Sequence, residues 1–297
     1  MIQLTHDISH ETLIIVGVGL IGGSVALSFK KNRSGRKVIG ADTDVEQLKH
    51  AARNGIIDDF ADITDPIPEA KLIILAAPVS QNRENLAKLG WAVRRGLIIT
   101  DTGSTKKDFI ALAKKLYPSS YHRIVPAHPI AGGEKAGVGA AKSNLFHGKK
   151  VVITPLSCGE TAAVRAVEKM WSEFGSEIVK MSAEDHDKIF STVSHLPHLL
   201  SYALVNMVSR KQVRHNLFDY SGGGFRDFTR IAASSPEMWG DICEANREFI
   251  MEDLKLYRNE IDELLKNIRT GNKTELLSFF KRAKALRLKH LQKKRDD

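Results

Sequence analysis

The stretch from Leu13 to Ser24 constrains this chain more than any other. Four apolar residues, Leu13 to Val16, run straight into G-V-G-L-I-G-G-S, which sets glycines at 17, 19 and 22. A buried strand that passes through such a turn into a helix leaves little choice of fold. The first glycine makes the turn, the second lets a phosphate reach the backbone, and the third lets the helix pack on the strand. Glycine triplets also arise by chance, so the context decides. Here an apolar helix follows, with Val25, Ala26 and Phe29, and then a second strand, Lys37 to Ala41, that ends in Asp42, 20 residues beyond Gly22. At that spacing a carboxylate receives the ribose hydroxyls of a dinucleotide, while the free amides of the helix N-terminus receive its pyrophosphate. Gly17, Gly19, Leu20, Ile21, Gly22 and Asp42 are therefore expected to bind the cofactor. Thr43 and Asp44 offer no cation for a 2′-phosphate, so the expected cofactor is NAD rather than NADP. Asp42 could instead cap the helix starting near Val45, but Asp44 is better placed to do so.

Further apolar runs complete a parallel sheet. Lys71 to Ala77 is closed by Pro78, and Leu97 to Thr100 leads into D-T-G-S at Asp101 to Ser104. Strands buried on both faces read as such continuous runs. Their ligands lie outside the carboxyl ends, so Pro78, Val79, Thr102, Gly103 and Ser104 should share one crevice with the glycine loop. Another strand around Arg123 to Val125 brings V-P-A-H-P-I-A-G-G-E, residues 125 to 134, to the same edge. Pro126 and Pro129 restrict the backbone on either side of His128, and Gly132 and Gly133 follow as a turn that a ligand can approach. A rigid imidazole beside a dinucleotide site and a hydroxyl suits a general base. A turn with a surface histidine is the blander reading.

Composition bounds the rest. With 297 residues, 42% hydrophobic and 27% charged, the chain suits two globular domains. A last strand, Lys149 to Thr154, closes the first, so the expected division is 1–155 and 156–297. The 18 uncharged residues from Thr12 to Phe29 contain four glycines and follow no basic cluster, which argues against a membrane span or signal peptide. The formal charge of +9 is concentrated at one end: residues 273 to 297 hold nine Lys or Arg and three Asp or Glu, a net of +6. Leu276, Phe280, Ala283 and Leu286 recur there at helical spacing, so the segment reads as an amphipathic helix with a solvated basic face. No nucleic-acid recognition motif accompanies it. Cys158 and Cys243 fit no metal or redox spacing, and suit reduced thiols in the cytoplasm.

After Leu156 the pattern turns helical. Ala163, Val167, Met170, Trp171 and Phe174 fall at helical intervals and Gly175 stops them. Ser182 and Asp185 form a capping box for a helix through Ile189 and Val193 that Pro197 should kink, turning His195 and His198 to the cleft. These two histidines have no third ligand at a compatible spacing, so no metal is expected. Arg226 and Arg230 lie four apart beyond a glycine run, and an Arg fork matches a carboxylate. From Trp239 to Ile268 an apolar stripe extends over some thirty residues. One small domain does not bury so long a stripe, so a homodimer is expected through this half.

Taken together, G-V-G-L-I-G-G-S at 17–24, D-T-G-S-T-K at 101–106, H-P-I-A-G-G-E-K-A-G at 128–137, S-H-L-P-H at 194–198 and G-G-G-F-R-D-F-T-R-I-A at 222–232 resemble the prephenate and arogenate dehydrogenases of tyrosine biosynthesis. The resemblance covers nearly the whole chain, without the mutase or regulatory domain that some relatives carry. It implies a Rossmann-type doubly wound parallel sheet followed by an all-helical dimerisation domain, similar to the C-terminal domain of 6-phosphogluconate dehydrogenase. It implies NAD-dependent oxidative decarboxylation of prephenate to 4-hydroxyphenylpyruvate. It further implies that His128 is the catalytic base, that Ser104 hydrogen-bonds it, that Glu134 lines the entrance, that His198 borders the substrate side chain and that Arg230 binds a substrate carboxylate. Many relatives carry Thr or Ser where this chain has Gly133, so one substrate-facing hydroxyl is missing. Arogenate as substrate, a hydroxyacid dehydrogenase and a non-catalytic NAD-sensing protein remain as alternatives.

Overall fold

A computed structural model of the chain describes residues 12–31, 35–133, 135–156, 161–211 and 213–296. They form two compact units, one running to Arg247 and one from Glu248 onward. The first begins with β1 (Thr12–Val16), α1 (Leu20–Lys30), β2 (Lys37–Ala41), α2 (Val45–Arg53), β3 (Asp59–Phe60), β4 (Ala70–Leu75), α3 (Val79–Lys88), α4 (Gly90–Arg94), β5 (Ile98–Asp101), α5 (Lys107–Leu116) and β6 (Ile124–Val125). The strands make one parallel sheet in the order β3-β2-β1-β4-β5-β6. The order reverses between β1 and β4, and at such a switch point the loops on the carboxyl ends part to leave a crevice.

The apolar runs explain why both faces are covered. Along β1, Leu13 and Ile15 point into one core with Val25, Phe29 and Leu48, while Ile14 and Val16 point into another with Leu86, Leu89 and Phe109. Each such side chain, fully buried, stabilises the fold by about 1.5–3 kcal/mol. A polar residue at any of them would cost more than the sheet's local preferences could offset.

A second, three-stranded sheet carries the candidate base. In it β7 (Ala127–Pro129) runs antiparallel to β8 (Lys150–Ile153), with His128 opposite Val152. Next come α6 (Ala162–Glu173) and β9 (Glu177–Lys180), and β9 pairs in parallel with β8. Strand therefore continues past Leu156, where the sequence pattern suggested that helices alone would follow. Only Ile178 and Val179 mark β9 in the sequence, between the charged Glu177 and Lys180, and two apolar residues are too few to signal a strand. Gly175, at φ +80°, makes the turn between α6 and β9, and a Cβ there would strike the His147 ring.

Then follow α7 (Ala183–Phe190), a π-helical turn over Ser191–His195, α8 (Leu196–Arg210), α9 (Gly223–Thr229) and α10 (Pro236–Ala245). Ser182 caps α7 through a 3.0 Å bond from the Asp185 amide, as its position suggested. The distortion expected at Pro197 takes the form of the π turn, which inserts an extra residue where the proline offers no amide and needs room for its ring. The apolar stripe from Trp239 onward is not one helix. It breaks at Asn246, whose side chain turns inward and donates to the Asp187 carbonyl at 2.8 Å. The second unit holds α11 (Arg247–Arg269), from Glu248 onward, and α12 (Lys273–Asp296), joined through Gly271 at φ +62°. Among the described residues no helix is long and apolar enough to cross a membrane.

Candidate active site

The glycine loop has the shape its sequence requires. Gly17 adopts φ +93°, and a Cβ there would lie 2.5 Å from the Ala77 amide nitrogen on β4's exit. A Cβ on Gly22 would sit 2.0 Å from the Gly17 carbonyl oxygen, so only glycine lets α1 start this close to β1. Gly19 differs: nothing lies within 4 Å of its would-be Cβ. That open position is the one at which a pyrophosphate would meet the backbone. Gly19 also offers no side-chain cap, so the amides of Leu20, Ile21 and Gly22 at the first turn of α1 meet no capping side chain.

Asp42 does not cap α2; Asp44 does, accepting from the Glu46 and Gln47 amides. The Asp42 carboxylate instead accepts from Val18 N at 2.7 Å and Asp44 N at 3.0 Å. It thus ties β2's end to the glycine loop and keeps lone pairs on both oxygens for ribose hydroxyls. Pro78 and Val79 open α3, and the Thr102 amide bonds to Leu75 O at 3.0 Å, which ties the β5 exit to that of β4. Residues Gly17–Gly22, Asp42, Pro78, Val79, Thr102, Gly103 and Ser104 are therefore gathered at the carboxyl ends of β1, β2, β4 and β5. This arrangement fits a dinucleotide.

His128 sits in the middle of β7, fixed from both sides. Pro126 O accepts from Thr154 N at 3.0 Å and Ile130 N donates to Lys150 O at 2.8 Å, which locks the strand over its whole length. The ring packs at 4.9 Å from the Phe190 ring, centroid to centroid. Its Nδ1 lies 2.8 Å from His186 Nε2, a partner that the sequence did not suggest. His186 is 0% exposed, and its Nδ1 lies 2.7 Å from Asp187 Oδ1. Asp187 in turn accepts from the Lys106 amide at 2.8 Å and the Lys107 amide at 2.9 Å, at the N-terminus of α5. Beside this chain, the fully buried Lys106 ammonium pairs with Asp101 at 2.5 Å, and Asp101 also receives the Ala127 amide, one residue before His128.

These surroundings decide the charge on His128. Burial first, then the neighbouring His186, Lys106 and His195, push its pKa well below the usual histidine range. The ring is therefore neutral at pH 7, as a proton acceptor must be. Burial likewise lowers His186, against the pull of Asp187.

His195 and His198, three residues apart, part company. His195 is 1% exposed, with Asn246 Nδ2 3.1 Å from its Nδ1. The broken α10–α11 junction, which the sequence did not signal, is what brings Asn246 there. His198 remains half-buried, stacked on Trp239 at 4.1 Å, and its Nδ1–H donates to Ser194 O at 2.8 Å. Burial and the charge of Arg230 lower its pKa, which also places Arg230 within electrostatic reach of His198. Arg230 opens a short 3₁₀ turn after α9 and is exposed. Gly133 lies against α1: a Cβ on it would be 3.3 Å from Leu20 Cδ2. Glu134 lies outside the described residues.

His186, Asp187, Lys106, Asp101 and Asn246 are the site residues that reading the sequence did not single out. An adjacent His-Asp pair inside an amphipathic helix reads as a solvated face. Only the T-K at the end of D-T-G-S-T-K hinted that a lysine belonged to the loop.

Comparison with known proteins gives the architecture its family. The nucleotide-binding domain of prephenate dehydrogenase matches residues 25–180, and the dimerization domain of prephenate dehydrogenase matches residues 182–282. The chain belongs to the prephenate dehydrogenase family. The junction between the two domain matches falls between β9 and α7, where the strands end. Within the family, the chain is 38% identical over 280 residues to the prephenate dehydrogenase of Bacillus subtilis, covering 93% of this chain and 75% of that one. It is 35% identical to a cyclohexadienyl dehydrogenase of Zymomonas mobilis, over 93% of this chain and 94% of that one. The crystal structure of the Aquifex aeolicus prephenate dehydrogenase with hydroxyphenyl propionate and NAD+ superposes with a TM-score of 0.88 at 35% identity, over 95% of this chain and 99% of that one. Family membership makes the protein an oxidoreductase.

Proposed function

We propose that this chain is an NAD-dependent prephenate dehydrogenase that converts prephenate to 4-hydroxyphenylpyruvate with loss of carbon dioxide. The observation that carries the reading is a neutral, doubly braced His128 on the edge of a glycine-loop crevice. NAD, when bound, supplies the hydride acceptor. The glycine loop and the first turn of α1 hold its pyrophosphate, and Asp42 takes the ribose hydroxyls and repels a 2′-phosphate. His128 accepts the proton of the ring hydroxyl on the nitrogen that faces away from His186, while hydride leaves the carbon bearing that hydroxyl. Ring aromatisation then drives loss of the carboxylate. Ser104 hydrogen-bonds His128, Arg230 binds a carboxylate, Glu134 lines the entrance, and Gly133, His198 and His195 border the substrate.

The geometry at His198 favours a second substrate as well. Its Nδ1–H is committed to Ser194 O and burial keeps the ring neutral, so Nε2 offers only an acceptor. An acceptor suits the amino group of arogenate, and both a cyclohexadienyl dehydrogenase and the arogenate dehydrogenase of Synechocystis, 25% identical with a TM-score of 0.78, are among the relatives. Measuring reduction of NAD and of NADP with prephenate and with arogenate, in parallel, tests the whole reading. Turnover of prephenate with NAD is the expected result; no turnover of either substrate would remove it.

The active protein is proposed to be a homodimer through its helical part, the one matched by the family's dimerization domain. Leu254, Ile261, Leu265 and Ile268 leave an apolar face of α11 exposed in the single chain, and a second copy would cover it. The widely spaced Cys158 and Cys243 suit a reducing compartment, the cytoplasm.

A further inference from the structure

We infer that His186 and Asp187 are positioning residues that fix the tautomer of His128, placing its proton on Nδ1 and leaving Nε2 as the proton acceptor. The inference rests on the reading of His128 as the base and adds the machinery that makes it one. It follows from counting donors along a chain of three groups. A carboxylate only accepts, and Asp187 is held in place by two backbone amides at the start of α5. At 2.7 Å from Oδ1, His186 Nδ1 must therefore carry a hydrogen. A neutral imidazole has only one, so His186 Nε2 is bare. It lies 2.8 Å from His128 Nδ1, and two bare nitrogens repel, so the hydrogen between the rings belongs to His128. The remaining nitrogen of His128, Nε2, then has a free lone pair.

The reverse order needs a doubly protonated His186. Its buried surroundings and the Lys106 ammonium disfavour that charge, although Asp187 and Asp101 favour it. His195 is the other titratable group acting on His128, and it too disfavours added positive charge. When a substrate hydroxyl gives up its proton, His128 goes from one proton to two, His186 keeps its single proton and Asp187 stays a carboxylate. The new positive charge is met by a hydrogen bond already formed and, one ring further, by the Asp187 carboxylate. No group has to turn for the base to act.

The direct test is ¹⁵N NMR of the full chain labelled in its histidines, at neutral pH, with the His128 signals assigned by their loss in His128→Gln. A protonated Nδ1 and a bare Nε2 on His128 are expected. A proton on Nε2 would overturn the inference, whatever substrate the protein turns over, so the readout stands apart from the substrate assignment. Kinetics give a second arm. His186→Phe should lower kcat by about 10²- to 10⁴-fold, the range for losing a base or the group that fixes its tautomer, with KM for substrate nearly unchanged. His186→Gln can still accept from Nδ1 through its amide oxygen and should recover at least about tenfold of that loss. Wild-type kcat in His186→Phe, or an equal loss in both variants, would contradict the inference. If neither variant folds, the tautomer of the unaltered protein still decides.

Discussion

At the scale of single residues, charge is set by what surrounds each group. Burial, His186, Lys106 and His195 all disfavour protonation of His128, so the proposed base is neutral at pH 7 without help from a carboxylate in direct contact. A base must be neutral, so kcat/KM should rise as pH climbs through the folded-state pKa and stay flat above it. That acid limb should lie below about 6.5, the ordinary histidine value. A limb at or above 6.5 in the pH profile would mean that another group, or a differently placed His128, controls the reaction. Arg230 is proposed to act at the other end of the substrate. Because it is exposed in the single chain, its pairing with a carboxylate is partly screened, and Arg230→Gln should raise KM by about tenfold or more while leaving kcat within a small factor. A fall in kcat at unchanged KM would move Arg230 from binding into the chemical step.

At the scale of elements, two glycines in one loop make opposite demands. Gly22 is required by the fold, since a Cβ there would meet the Gly17 carbonyl, whereas Gly19 borders open space. Gly22→Ala should lower the melting temperature and weaken NAD binding together. Gly19→Ala should melt like the unaltered protein and yet bind NAD at least about tenfold more weakly, because its methyl occupies the pyrophosphate's place. Equal NAD affinity in Gly19→Ala, by calorimetric titration, would displace the cofactor from this loop. The loop was legible because strand, turn, helix and Asp42 follow one another in the chain, and the same holds for the strands of the parallel sheet, whose apolar runs are continuous. The remainder depended on long-range partners. Nothing near residue 246 in the sequence says that an asparagine will turn inward to Asp187 and break a helix, because the reason lies 59 positions away. His186 and Asp187 were hidden for a similar cause: helical spacing alone cannot tell a solvated His-Asp pair from one that packs against α5 and β7. The depth at which His195 is enclosed was hidden too, because Pro197 marks a distortion without saying what packs around it.

At the scale of the whole molecule, the same buried histidines tie stability to pH. His128, His186 and His198 all have folded-state pKa values below the unfolded value of about 6.5. Between the folded and unfolded values the unfolded chain binds more protons, so stability is full above about pH 6.5 and declines as pH falls below it. Urea unfolding at pH 7.5 and 5.5 should show this loss, and it should be smaller in His128→Asn, which has one fewer proton to take up on unfolding. An identical pH dependence in the two proteins would mean that His128 is not buried as described. The central claim joins all three scales: a braced imidazole, on a strand beside a glycine loop, in an oxidoreductase of the prephenate dehydrogenase family. Its most direct test is steady-state reduction of NAD with prephenate by His128→Asn beside the unaltered protein, each first titrated with NAD. NAD binding should be unchanged, KM for prephenate should be nearly unchanged, and kcat should fall by about 10²- to 10⁴-fold. Near-normal turnover by His128→Asn, or a defect confined to KM, would contradict the account.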